Sequence, residues 1–424
     1  METRTIRNKV SISRDVRFIL LAIVFSAIIG GCESNSANKK PLNAIKLQLT
    51  NPLEFERINA PVSINLSELH SQSSDLDLSK IAVFQGQIEI PSQITNDRLF
   101  FVIDTLKALE KKAFLVQEVA AKQEYPKRTQ AELSIKQGGH FENRKYIGGE
   151  FSNIDFLRVP PEHTDHSYLI WYEGPGWKSD MVGYRFYLDW RNATDAFGKK
   201  TNDMVLQNVG LDGFDSYHEM QPWGMDVLKV GKALGIGTLA TYLDSMAVRV
   251  EKTDSVTCLI KENGPVYSAV ETHYYGWKVG EEHFDVQSIL SIHAGTRLTH
   301  HEVSISGQPD NLCTGIVKDK NARLFTDHGS ASQCGYIATF GVQSLNNDYL
   351  GLAVFFSNSA FKGFTEDEFS HIVKLDALGG KLDYYFLAAW ELEKEGFSNE
   401  QDFMDYIKQL AVELANPVQV SLSN

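Results

Sequence analysis

The stretch His283-Phe284-Asp285-Val286-Gln287-Ser288-Ile289-Leu290-Ser291-Ile292 alternates with a period of two. Phe284, Val286, Ser288, Leu290 and Ile292 share one face, and His283, Asp285, Gln287, Ile289 and Ser291 share the other. That pattern predicts a strand buried on one face. A turn at Ala294-Gly295 leads into a second alternating segment, Leu298 to Ile305. Tyr336–Phe340, Leu350–Phe356, Leu382–Trp390 and Tyr168–Tyr172 add further strand candidates. So many one-sided strands predict large antiparallel sheets stacked face to face. Upstream, Val62 to Leu66 alternates between prolines at 52, 61 and 91, and residues 45–120 are expected to form a small β-sandwich-like lobe. The polar run Ala121 to Gly139 reads as a linker, so the main domain is placed at 140–424. Helices are few. One is expected over Pro222–Leu234, and another after a capping box Ser398-x-x-Gln401, with Phe403, Ile407, Leu410 and Leu414 on one stripe. There is no internal repeat.

The 424 residues are 43% hydrophobic and 11% aromatic, which excludes a disordered chain. A net charge of −13 argues against a nucleic-acid binder, which needs a basic face, but leaves room for a local basic pocket. Arg4, Arg7, Lys9, Arg14 and Arg17 precede an apolar run from Phe18 to Ile29, then Gly30-Gly31-Cys32. The run is short for a membrane span, and the arrangement reads as an export signal over 1–31. A cysteine directly after two glycines resembles a bacterial lipobox. Lipidation of Cys32, a polar tether over 32–44 and an outer-membrane anchor facing the periplasm or cell surface are therefore expected. Of the remaining thiols, Cys313 and Cys334 could pair in an oxidising compartment, leaving Cys258 buried. No CxxC pair, HExxH, GxSxG, GxGxxG or P-loop pattern is present, so no cofactor is expected, with a divalent cation left open.

Polar residues concentrate between 163 and 229. If Tyr184 to Trp190 is a strand, Tyr184, Phe186, Leu188 and Trp190 share one face and Arg185, Tyr187, Asp189 and Arg191 the other. Two arginines, a tyrosine and an aspartate on one face must be wet, mutually paired or part of a site. Trp171, Trp190 and Trp390 read as core. Trp177 and Trp223, beside glycine and proline, read as loop aromatics able to stack on a sugar, and His301 as a core histidine.

The runs Gly174-Pro175-Gly176-Trp177, Val182 to Asn192, Phe197-Gly198-Lys199-Lys200, Tyr217-His218-Glu219-Met220, Trp223-Gly224-Met225-Asp226, Trp277 and Ala294 to Leu298 carry a resemblance over about residues 45–415. They are similar to a family of exported bacterial proteins long labelled a domain of unknown function and met in gene clusters for degrading algal and plant polysaccharides. The resemblance implies a galactose-mutarotase-like β-supersandwich, as in many polysaccharide lyases, and the activity of an ulvan oligosaccharide dehydratase. The expected partner is thus an anionic uronic-acid oligosaccharide.

Chemistry narrows the roles. β-Elimination from a uronic acid removes the C5 proton, and needs a base, a cation for the carboxylate and an acid for the leaving oxygen at C4. His218, Tyr184 and Arg185 are the expected catalytic residues. Arg191, Tyr187, Trp177, Trp223, Lys199, Lys200 and His273 are the expected substrate contacts. Three other readings use the same region: a polysaccharide lyase on uronic-acid glycans, in which the leaving oxygen belongs to the next sugar, a glycoside hydrolase with Glu173 and Asp189, or Glu219 and Asp226, as its acid pair, and a non-catalytic glycan-binding lipoprotein.

Overall fold

The alternation at 283–292 becomes the strand Glu282–His293, fourth in a nine-stranded antiparallel sheet. The order across that sheet is Phe156–Arg158, Ser255–Asn263, Tyr267–Val279, Glu282–His293, Thr299–Ile305, Lys381–Trp390, Tyr349–Phe356, Gly335–Val342 and Ala322–Asp327. The structure is a computed structural model that describes residues 44–95, 97–210, 216–307 and 309–423. These belong to one compact unit, Asn43–Asn424. The expected signal and the lipidation site Cys32 lie outside the described residues.

Two five-stranded sheets stack on the inner face of the large one. The first, called here the site sheet, orders Gly224–Asp226, Thr194–Lys199, Val182–Phe186, Gly176–Ser179 and Thr129–Glu132. The second orders Met246–Arg249, Ala240–Leu243, Leu312–Val317, Ser370–Leu375 and Phe361–Glu366. The core between the layers holds Trp177, Tyr184 and Phe186 from one side and Val286, Leu290, Tyr384 and Phe386 from the other. This is the mainly β, antiparallel supersandwich expected from the alternation, with two α-helices among the described residues. The longer, Glu400–Ala415, lays Phe403, Met404, Ile407 and Ala411 on the outer face of the large sheet, against Ala338, Phe340 and Phe355. Its N-cap is Asn399, one residue later than the expected serine, and the Asn399 side chain accepts from the Asp402 amide at 3.0 Å.

The N-terminal lobe pairs Ala44–Thr50, Lys111–Glu118, Ile81–Gln85 and Ile88–Ile90 in one sheet and Arg57–Asn65, Arg98–Leu106 and Ser92–Ile94 in another. Its first sheet is completed by the chain's last strand, Gln419–Ser423, antiparallel to Ala44–Thr50. The lobe is therefore built from both ends of the described chain.

Several local expectations are corrected. No helix forms over 222–234, where Gly224–Asp226 is instead an edge strand of the site sheet. The region read as a linker contains Thr129–Glu132, the opposite edge of that sheet, and Ser134–Gln137. Tyr168–Tyr172 is not a strand: it runs into the 3-10 turn Trp171–Glu173, with Tyr168 and Tyr172 at positive φ. Cys258, Cys313 and Cys334 are all free, so Cys313 and Cys334 do not pair.

Candidate active site

The site sheet has one apolar and one polar face, as period-two alternation dictates. Trp177, Tyr184, Phe186, Ala196 and Met225 point into the core. The polar face carries Glu132, Lys178, Arg185, Asp195 and Asp226, every one of them buried. A chain excursion after Lys199 covers it. Leu206, Val209 and Tyr217 pack there on Phe197, Trp171 and Tyr172, and Trp171 donates its indole N–H to the Val209 carbonyl.

Arg185 is the hub. Its Nε donates to Asp195 Oδ2 at 3.1 Å, and Nη1 donates to the Tyr172 carbonyl at 3.1 Å and the Tyr217 hydroxyl at 2.9 Å. Nη2 serves Asp195 Oδ2 at 2.8 Å, Asp226 Oδ2 at 2.9 Å and the Tyr187 hydroxyl at 3.2 Å. The Tyr187 hydroxyl in turn donates to Asp195 Oδ2 at 2.8 Å. A guanidinium has five N–H donors, and each already has a partner here. Burial and the neighbouring Asp195 charge push the Asp226 carboxyl well above the usual carboxylate range, although Arg185 opposes them. Burial, against the pull of Arg185, lifts the Tyr217 phenol to about 12.

His218 brings this buried network to solvent. Its Nε2 lies 3.5 Å from Asp226 Oδ2, and its side chain is 44% exposed against 2% for Asp226. The ring packs on Tyr217 at 4.6 Å between centroids. Next to the hub, the Tyr172 hydroxyl donates to Glu132 Oε1 at 2.5 Å and Lys178 Nζ donates to Gln207 Oε1 at 2.9 Å. Burial draws the Lys178 ammonium down to about 7.

Asp189 and Arg191 leave this face. The strand stops at Phe186, and a turn closed by the Tyr187 amide on the Ala193 carbonyl, with Asn192 at φ 35°, carries them to a second cluster. There Arg191 bridges Asp189 at 2.5 Å, Glu173 at 2.9 Å and Asp165 at 3.1 Å, and lies 3.9 Å above the Tyr187 ring. Burial would raise Glu173, but Arg191 and then Arg185 outweigh it and hold its carboxyl low. Asp165, His166 and Glu173 each offer a ligand atom within 4.8 Å of the others. A cation there would have to displace Arg191 from two of the three, so this donor set does not fit a resident metal.

The expected site residues are thus divided. His218, Arg185, Tyr187 and, at its margin, half-buried Trp223 come together. Arg185 cannot clamp a substrate carboxylate, because its donors are used within the protein. Tyr184 is no proton carrier: it is fully buried, donating to the Arg297 carbonyl at 2.7 Å and accepting from the Ala388 amide at 2.9 Å. Trp177 is a core residue at 0% exposure, its indole donating to Thr299, whereas Trp190, read as core, is 50% exposed. His273 sits elsewhere, opposite in direction to core-facing Tyr274, and pairs with Glu271 at 2.6 Å. Lys199 is buried with its Nζ on the Ser179 carbonyl at 2.6 Å, and Lys200 is exposed. His301 is a core histidine, as expected, bonded to Ser288. Glu132 escaped sequence reading because it stood in a supposed linker, although Gln130 and Glu132 alternate there with Ala131 and Leu133.

Fold and site together define a β-supersandwich protein with an arginine–dicarboxylate network buried beneath a histidine that reaches solvent. The chain belongs to the family DUF4861, described as a domain of unknown function, which matches residues 49–420. No curated protein matches it. Among solved structures it is similar to a protein in glycosyl hydrolase family 38 from Enterococcus faecalis, at 9% identity and TM-score 0.47, over 90% of this chain and 47% of that one. An alpha-mannosidase from Enterococcus faecalis V583 gives 9%, 0.46, 90% and 46%. The chain thus spans about half the length of these structures.

Proposed function

We propose that the protein is a carbohydrate-active enzyme: a dehydratase that works by β-elimination on the non-reducing-end uronic acid of ulvan-type oligosaccharides, forming a 4,5-unsaturated uronic acid. The observation that carries this reading is the His218–Asp226–Arg185 chain, in which a solvent-reaching imidazole is backed by a buried carboxyl. In this reading His218 is the base that takes the C5 proton, and the imidazolium that forms faces the Asp226–Asp195 pair. The C5 electrons make the C4–C5 double bond as the C4–O bond breaks, and the leaving hydroxyl takes the proton back from the His218 imidazolium and departs as water. Exposed Lys200, whose backbone amide is bonded to the Trp223 carbonyl, is the cation offered to the substrate carboxylate. Trp223 supplies an apolar edge at the same margin. The protein acts at the cell envelope, anchored through Cys32.

A hydrolase needs one carboxyl held protonated opposite a free carboxylate. Glu173 and Asp189 are instead tied to one arginine, with Glu173 held low; in the second expected pair Asp226 is held high but is buried on Arg185. The test is to incubate the purified chain with ulvan-derived oligosaccharides and follow mass and ultraviolet absorbance. Loss of one water with a rise in conjugated-alkene absorbance is expected. Chain shortening without that absorbance would replace this reading with hydrolysis.

A further inference from the structure

A separate cavity opens where the N-terminal lobe meets the supersandwich, lined by Asn59, Arg128, Asp180, Lys199, Arg297 and Glu393 among others. It encloses about 170 Å³. At about 30 Å³ per water in the liquid it has room for about six waters, roughly the bulk of one pyranose.

Its walls are built and fixed. Asp180 accepts from Arg128 Nε at 2.7 Å on one oxygen and from the Gly295 amide at 2.7 Å on the other, so this carboxylate is held as a latch. Gly295 has φ +74°, and a Cβ there would meet the Asn59 side chain at 2.3 Å. Glycine is what lets the lobe's Asn59 reach the cavity edge, where Arg128 Nη2 donates to it at 3.3 Å. Arg297 Nε donates to Glu393 Oε2 at 2.7 Å, and its Nη2 donates to the Glu395 carbonyl at 2.7 Å.

Two polar groups keep unused hydrogen-bonding capacity. Lys199 is 1% exposed, yet its ammonium has a single hydrogen bond, to the Ser179 carbonyl, and no carboxylate among the described residues comes within 4.0 Å of it. A lysine is almost never buried without a counter-charge. Glu393 Oε1 is also buried and has no partner. Burial draws Lys199 down to about 8 and lifts Glu393, the direction expected of charges held in the interior with few partners.

We propose that this cavity binds a monosaccharide-sized polyol bearing one carboxylate, with the carboxylate on Lys199 and a hydroxyl on Glu393 Oε1. The pocket itself rests on this pair, and only the choice of a sugar as probe rests on the carbohydrate reading above. It is distinct from the His218 site: none of His218, Asp226, Arg185 and Tyr217 lines it.

The test is calorimetric titration of the full chain with glucuronic acid and with glucose, its uncharged counterpart. Saturable binding of glucuronic acid, with glucose at least about tenfold weaker, is expected from one charge-assisted hydrogen bond. Lys199→Met should weaken binding about 10- to 100-fold. Met181→Trp, which fills the half-buried cavity rim without touching a charge, should do the same, and serves if Lys199→Met fails to fold. His218→Ala should bind as the unaltered chain does. Failure of glucuronic acid to saturate, equal affinity for glucose, or unchanged binding in both pocket variants overturns the proposal. Elimination activity without glucuronic acid binding removes the pocket and leaves the proposed reaction standing. Pocket binding with no elimination product does the reverse.

Discussion

Replacing Lys199 by methionine should make the ligand-free protein more stable at neutral pH, although it removes a hydrogen bond. The ammonium titrates at about 8 in the folded chain against 10.5 for an unburied lysine, because burial outweighs the distant pull of Asp180, Glu393 and Asp203. At about 1.4 kcal/mol per tenfold change, holding that charge in the folded state costs about 3 kcal/mol. Methionine has a similar length and no charge. It abandons the Ser179 carbonyl, which returns about 1 to 2 kcal/mol of that. The net expectation is a gain of about 1 to 2 kcal/mol, read as a higher urea midpoint at unchanged slope. The pH dependence has a definite sign. Below about 8 both folded and unfolded lysine are protonated, and the full cost stands. Between about 8 and 10.5 the unfolded chain holds the proton and the folded chain does not, so stability of the unaltered protein rises with pH and the gap to the variant closes. A Lys199→Met variant that is destabilised at pH 6.5, or whose advantage is unchanged at pH 10, would refute the claim that burial of this ammonium outweighs its partners.

Three further outcomes follow from the same geometry. His218→Ala should lose about 10²- to 10⁴-fold in turnover on ulvan oligosaccharides, with a melting temperature close to that of the unaltered chain because the side chain is largely exposed. Arg185→Lys should lower stability by about 3 to 5 kcal/mol, since a lysine cannot serve Asp195, Asp226 and three further oxygens at once; early thermal unfolding checks it, and normal melting with impaired turnover would return Arg185 to the substrate. Cys32→Ser should move the protein from the membrane fraction to the soluble periplasmic fraction on fractionation, because the acyl chains would be lost.

The supersandwich was legible because its strands are long and one-sided. Phe284 to Ile292 and Leu298 to Ile305 show a buried stripe that no helix could produce, and the sheet they form runs where the alternation puts it. Strands buried on both faces were harder. Gly176–Ser179 and Thr194–Lys199 are buried throughout, so their polar face carried no periodic signature of exposure, and Trp177 beside two glycines looked like a loop aromatic. Thr129–Glu132 was hidden by its polar surroundings, which made an edge strand look like a linker. Pro222 to Leu234 had the right composition for a helix, but pairing of Gly224 and Met225 with Lys199 and Gly198 took the chain into the sheet.

The site shows where residue typing stops. Arg185, Tyr187 and His218, singled out by their motifs, lie together in the fold, yet Arg185 cannot serve as expected, because a side chain's chemistry is available to a ligand only if its hydrogen-bond capacity is not already spent. Sequence gives the capacity; only the fold gives the remainder. Arg185 has all five donors occupied, and Arg191 spans three carboxylates, so the two arginines best suited by type to grip a carboxylate are the two least able to do so. Lys199, weaker by type because an ammonium has no two-pronged geometry, keeps one hydrogen bond and no counter-ion in a cavity of sugar size. The unspent charge rather than the preferred residue marks where an anionic ligand is to be sought. In the other network Asp226, Arg185 and Tyr217 are buried and bonded to one another, and His218, 44% exposed and 3.5 Å from Asp226, is the member that reaches solvent.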